Sequence, residues 1–137
     1  MKVIDTKDLE GTEREVFGQG FKSMRILLEK DGMGFSLHKT IIPRGVEEHW
    51  HYKHHLEACY CVYGLGILKN LETGEEFEIC ADTTYVLDKH DNHTFQALEA
   101  TVLISVFNPP VTGTEIHLED GSYALPDSET TTNCFWE

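Results

Sequence analysis

The sequence predicts an all-β, single-domain fold, a closed β-barrel or double-sheet jelly roll. Three features lead there: roughly eight short apolar segments, turn residues between them, and no long stretch of helical periodicity. The first strand is expected over 24–29, ended by Lys30-Asp31-Gly32-Met33-Gly34. The next spans 35–42 and stops at Pro43-Arg44-Gly45. A strongly apolar strand over 56–63 ends at Gly64-Leu65-Gly66, and 67–71 turns at Glu72-Thr73-Gly74 into 76–80. Segment 84–87 leads through the polar 88–92 to 93–98, and 101–107 runs into Asn108-Pro109-Pro110. Closing such strands on themselves removes exposed sheet edges.

A chain of 137 residues, 40% of them hydrophobic, has room for one domain and one core. The domain is expected over 1–125, followed by a polar tail over 126–137 whose Phe135 and Trp136 could fold over a cavity as a lid. Eleven Lys+Arg against 24 Asp+Glu give a net charge of −13, which repels phosphate backbones and anionic lipid. Neither nucleic acid nor membrane is therefore an expected partner. No apolar run approaches the roughly 20 residues of a membrane-spanning helix. The start MKVIDTKDLEGTERE lacks the apolar core of a secretory signal, so a cytoplasmic location is expected. Cys59, Cys61, Cys80 and Cys134 form no C-x-x-C pair and read as free thiols.

The chemistry concentrates between Gly45 and Gly64, where four of the eight histidines, His49, His51, His54 and His55, fall within seven residues. Glu57 lies among Leu56, Ala58, Cys59 and Cys61, and burying a lone carboxylate costs several kcal/mol unless a cation or strong donors meet it. On an extended chain His51, His55, Glu57, Cys59 and Cys61 would share one face. The histidines could instead be solvated at a strand entry, with Glu57 paired to Lys53 or an arginine. A hairpin symmetric about Lys89 would set Tyr85 opposite His93, with Cβ atoms about 5 Å apart. Glu57, Tyr85 and His93 could then converge on one ion, or Tyr85 and His93 could simply bond to each other. Two oxygen donors and one nitrogen, with no thiolate, favour iron or manganese over structural zinc.

The spacing Gly45, His51, Lys53, Glu57, Gly64 resembles the cupin signature G-x5-H-x-H-x3-E-x6-G, with lysine in place of the second histidine. The strings HYKHHLEA (51–58), LDKHDNH (87–93), VFNPPVTGTEIH (106–117) and EDG (119–121) resemble the ectoine synthase family of small cupin enzymes. The likeness runs from about residue 4 to 125.

That resemblance implies a metal-dependent hydro-lyase that closes N-γ-acetyl-L-2,4-diaminobutyrate into ectoine with loss of water, using Fe2+ or another divalent ion. It places the metal ligands at Glu57, Tyr85 and His93. It places pocket residues at Arg25, Thr40, Tyr52, Phe107, Glu115 and His117. Tyr52, Glu115 and His117 are then the catalytic candidates, with Glu115 and His117 sharing base and acid duty in an unresolved order. Arg25 would hold the substrate carboxylate with Thr40 beside it, and Phe21 and Phe107 would wall the site. Three positions depart from the family pattern: Phe21 for tryptophan, His38 for asparagine, and Ser105 for cysteine. These changes keep open an enzyme acting on another N-acyl diamine or amino acid, or a cupin that binds a small solute or metal without turnover. The resemblance also implies a homodimer.

Overall fold

The computed structural model describes residues 1–115, so His117 and the expected tail over 126–137 lie outside the described residues. Among the described residues eight strands follow one another: β1 (Glu15–Phe17), β2 (Lys22–Leu27), β3 (Ser36–Ile42), β4 (Glu47–Trp50), β5 (Leu56–Asn70), β6 (Glu76–Cys80), β7 (Thr84–Leu87) and β8 (His93–Asn108). Two short 3-10 turns, Thr6–Leu9 and Glu29–Asp31, are the helical pieces of this region.

The frame is the antiparallel pair β5–β8, joined from Leu56↔Asn108 to Asn70↔His93. One layer reads β1-β2-β3-β8-β5-β7 and the other β4-β8-β5-β6, so the two long strands belong to both. The all-β barrel expected from the sequence is therefore present, with different strand membership. Segments 56–63 and 67–71 are one strand, as are 93–98 and 101–107, while β1 and β4 were not anticipated. Gly64-Leu65-Gly66 reads locally as a turn, yet here it is a bend. The β5–β8 register shifts between Cys61 and Tyr63, between Tyr63 and Leu65, and between Leu65 and Gly66. Such bulges turn a strand sharply without ending it.

Two glycines make that bend sterically possible. Gly64 has φ +114°, and a Cβ there would lie 2.5 Å from Thr101 Oγ1 and 2.6 Å from the Ala100 carbonyl oxygen. A Cβ on Gly66 would lie 2.4 Å from the Phe95 ring. Thr101 closes the corner by accepting from the Leu65 N–H at 3.2 Å and donating to the Glu99 carbonyl at 2.9 Å. The core then fills from alternate positions of the inner faces: Ile42, Cys59, Cys61, Leu68, Ile79, Leu87, Phe95, Ala97 and Leu103 are all buried.

The end of β2 is tied to the N-terminal segment by Asp31. Its carboxylate accepts from the Leu28 N–H at 2.8 Å and from Arg14 Nη1 at 3.0 Å. The Leu28 amide bond, then Arg14, hold its acid group down at about 2.

Two predictions follow from these contacts. Gly64→Ala adds strain at positive φ to a clash with backbone, so urea denaturation should show a loss of about 3 kcal/mol. Gly74→Ala, also at positive φ but with nothing within 4 Å of its Cβ, should lose only about 1 kcal/mol. For Asp31, a folded value below the ordinary one means the stabilisation is present above about pH 4 and drains away as pH falls towards 2. Asp31→Asn should therefore melt below the parent near pH 6, and the gap should narrow by about half near pH 3 and close only towards pH 2.

Candidate active site

A cleft of about 440 Å³, mouth included, opens on the inner face of the first layer. Strand register explains its floor, because residues directly opposite each other on neighbouring strands point to the same side. Across β7, β5, β8, β3 and β2 one row reads Tyr85, Cys59, Ser105, His38, Arg25. A second row carries Leu87, Glu57, Phe107 and Ser36, and a third carries Cys61, Leu103, Thr40, Ser23 and Val16. Polar and ionisable side chains from five strands thus meet on one wall of an otherwise apolar barrel.

Most residues singled out from the sequence line this cleft: Phe21, Arg25, His38, Thr40, Tyr52, Glu57, Tyr85, Ser105 and Phe107. Val16, Ser23, Trp50, Cys59 and Leu103 line it as well. Cys59 was legible, since it lies two residues beyond Glu57 on the same face. Trp50 was not, because β4 has no clear sequence signature.

Aromatic rings pack over and beside these rows. Phe107 meets His38 edge-on at 4.8 Å between centroids, Tyr52 at 5.0 Å and His55 at 5.7 Å. Phe21 packs edge-on against Trp50 at 5.4 Å, so the ring at this position still builds a wall.

Glu57 is buried, and desolvation pushes its carboxyl up to about 8 despite bonds from Ser105 and Cys59. Tyr85 stands opposite Cys59, and Cys59 stands two residues beyond Glu57 on the same face, so three buried ionisable groups are neighbours. Burial first, and then their neighbours' charge, pushes the Cys59 thiol and the Tyr85 phenol up. Desolvation lowers His93 to about 4, which keeps its ring neutral.

Two local expectations change. Tyr85 and His93 do not face each other across a hairpin, because β7 pairs with β5 while His93 pairs with Trp50 and Asn70. The loop over 88–92 carries the chain from one layer to the other, so Tyr85 and His93 approach the interior from different directions. Residues 51–55 are also a turn rather than extended chain, so Glu57, Cys59 and Cys61 share a face without His51 and His55. His55 instead donates from Nδ1 to the Pro109 carbonyl at 2.8 Å.

The donor set suits a divalent cation. His93 Nδ1–H donates to the Asp91 carbonyl at 2.9 Å, leaving Nε2 as a lone pair that is buried with no hydrogen-bond partner. His93 is not among the cleft-lining residues, but its ring lies 6.2 Å from Trp50 and 6.4 Å from Tyr52, which are. Among the described residues no three His, Cys, Asp or Glu side chains cluster as a metal site. Glu57, Tyr85 and His93 make a three-donor set only if the Tyr85 phenol is counted with the carboxylate and the imidazole.

Glu115 is buried, yet its carboxylate turns into its own loop and does not line the cleft. It accepts from the Thr112 N–H at 2.9 Å, the Gly113 N–H at 2.9 Å and the Thr112 hydroxyl at 2.9 Å.

A model of the ectoine synthase family matches residues 1–127. The chain belongs to that family. The L-ectoine synthase of Alkalilimnicola ehrlichii is 54% identical over 130 residues, spanning 94% of this chain and 98% of its own. That of Halalkalibacterium halodurans is 47% identical over 94% of this chain and all of its own. The crystal structure of ectoine synthase from P. lautus superposes with a TM-score of 0.78 at 39% identity, covering 82% of this chain and 81% of that one. An RmlC-like cupin from Shewanella frigidimarina, at 22% identity and a TM-score of 0.60 over 73% of this chain and 86% of its own, shares the fold. Ectoine synthase family membership and a cupin barrel thus agree with the expectation from the sequence. No helix among the described residues is long and apolar enough to cross a membrane.

Phe107 joins three rings of the site, so its truncation should be costly. Phe107→Ala should lower stability by about 3–5 kcal/mol in chemical denaturation, and Phe107→Leu by about 1 kcal/mol.

Proposed function

We propose that the protein closes N-γ-acetyl-L-2,4-diaminobutyrate into ectoine and water, as a carbon–oxygen hydro-lyase. What carries this reading is the 54% identity to an L-ectoine synthase over nearly the whole chain. The chemistry of the cleft supports it. A new C–N bond forms between the 2-amino nitrogen and the acetamide carbon. The carbonyl C–O bond breaks, and the oxygen leaves as water with two protons lost from the ammonium.

Arg25 is the cation that holds the substrate carboxylate, with Thr40 as a hydrogen-bonding neighbour two residues along the facing strand from His38. Phe107, Phe21 and Trp50 enclose the carbon chain and bend it so that amine and amide meet. Orienting two groups of one molecule in this way can contribute roughly 7–11 kcal/mol. The described cleft offers the His38 imidazole to take the amine proton. Two protons move in turn, one from the ammonium before attack and one from the nitrogen of the adduct. His38 takes each from nitrogen, and Tyr52 Oη gives each to the departing oxygen. His38 returns each to Tyr52 through solvent, so both side chains end as they began. Glu57, Tyr85 and His93 are the residues that would hold a divalent ion, Fe2+ by the donor set. Such an ion supplies Lewis-acid polarisation of the acetamide carbonyl.

The three departures from the family pattern fit the same substrate. Phe21 keeps an aromatic wall against Trp50, Ser105 gives Glu57 a hydrogen bond, and His38 is seated on the Ser36 hydroxyl at 3.0 Å. Each side chain has a polar or ring partner, and none blocks the cleft it lines.

The decisive experiment incubates iron-loaded protein with N-γ-acetyl-L-2,4-diaminobutyrate without oxygen and follows ectoine by chromatography. Product should form, vanish on chelation and return with Fe2+. Glu57→Ala should lose both bound metal, read by elemental analysis, and turnover. Full activity in metal-depleted Glu57→Ala would sink the metal role, and no product from folded, loaded protein would sink the substrate.

A further inference from the structure

The segment over 109–115 leaves the end of β8 and is bonded at each step to residues of the cleft or its surround. The Pro109 carbonyl accepts from His55 Nδ1 at 2.8 Å. The Val111 N–H donates to Ser36 Oγ at 2.9 Å, and the same oxygen contacts His38 Nε2 at 3.0 Å. The Val111 carbonyl accepts from the Glu29 N–H at 2.9 Å. The final tie is made by Glu115, whose main-chain carbonyl accepts from Arg25 Nη2 at 2.8 Å.

Glu115 uses its side chain and its backbone for different purposes. Both carboxylate oxygens are engaged by the Thr112 N–H, and one also by the Gly113 N–H and the Thr112 hydroxyl. A carboxylate receiving these donors folds 112–115 into a tight turn, and the turn fixes where the carbonyl of residue 115 points. That carbonyl meets a guanidinium that is itself buried and lines the cleft. Hydrogen bonds to a charged group are among the stronger ones, and a planar guanidinium held at one nitrogen is restricted in how it presents the others.

We propose that Glu115 is a positioning residue: its carboxylate builds the turn that sets its own carbonyl on Arg25 and so orients Arg25 towards the substrate carboxylate. Thr112 shares this role through its hydroxyl. The inference rests on the proposed cyclisation only for its kinetic readout. A base acting directly on the substrate would need the carboxylate in the cleft, and here it faces the other way.

The test compares Glu115→Gln, Thr112→Val and Arg25→Lys in the full-length, metal-loaded protein. Glutamine keeps one acceptor but sets an amide N–H2 against backbone donors. Glu115→Gln should raise KM about tenfold while kcat stays within about threefold and both limbs of its pH profile persist. Thr112→Val should raise KM about threefold. In the Arg25→Lys background, Glu115→Gln should add almost nothing, because the contact it sets is already gone. A fall in kcat beyond about a hundredfold with one pH limb lost, at unchanged KM, would assign Glu115 to proton transfer and overturn the proposal.

A second measurement does not depend on turnover. In nitrogen-15-labelled protein, Glu115→Gln should speed hydrogen exchange at the Thr112 and Gly113 amides and broaden the Arg25 guanidinium signals. Unchanged Arg25 signals would refute the coupling whatever the substrate. Absence of ectoine from the parent protein would count against the cyclase reading alone, and the exchange data would still decide this one.

Discussion

The pairing of β5 with β8 is the constraint on which the molecule depends. A flat pair of this length could not enclose anything. Bulges between Cys61 and Gly66 let both strands bend from one layer into the other, so a single pair supplies the spine of both. The bend needs Gly64 against the Ala100–Thr101 backbone and Gly66 against Phe95. Strands β3 and β7 then dock on one half of the pair, and β4 and β6 on the other.

Because pairing fixes which side chains stand abreast, the same spine aligns the chemistry. Tyr85, Cys59, Ser105, His38 and Arg25 come from five strands and would be unrelated in an unpaired chain. Placing so many polar groups inside a barrel is costly unless they bond to one another. His38 rests on Ser36, and Tyr85, Cys59, Glu57 and Ser105 are gathered beside one another by the strand register. His93 Nε2 is left over, a buried lone pair that matches the requirement of a bound cation.

The cleft is held from both ends of β8. At one end His93 sits between Trp50 and Asn70, and at the other the segment over 109–115 is bonded to His55, Ser36, Glu29 and Arg25. The rings of Phe107, Tyr52 and His38 fill the space between. Substrate positioning is thereby built on strands rather than on free loops, which favours a site that does not reorganise when charge develops.

Alternation of apolar residues and the turn signals made the all-β barrel legible, and the oddity of Glu57 among Leu56, Ala58 and Cys59 marked where its chemistry lies. Long motifs around 51–58, 87–93 and 106–117 carried the family. Other features were hidden. Gly64 looks like a strand end because a bend and a turn use the same residue, and only the partner strand distinguishes them. The supposed Tyr85–His93 hairpin failed because contiguity along the chain says nothing about which strand a neighbour will choose. The resemblance counts Glu115 among the pocket and catalytic residues, while its carboxylate faces Thr112 and Gly113. By itself the sequence determined which residues must be inside, since hydrophobicity and period are local properties. The tertiary structure alone decided which of those residues face one another and which way each polar atom points, because register and hydrogen-bond direction exist only once strands are paired.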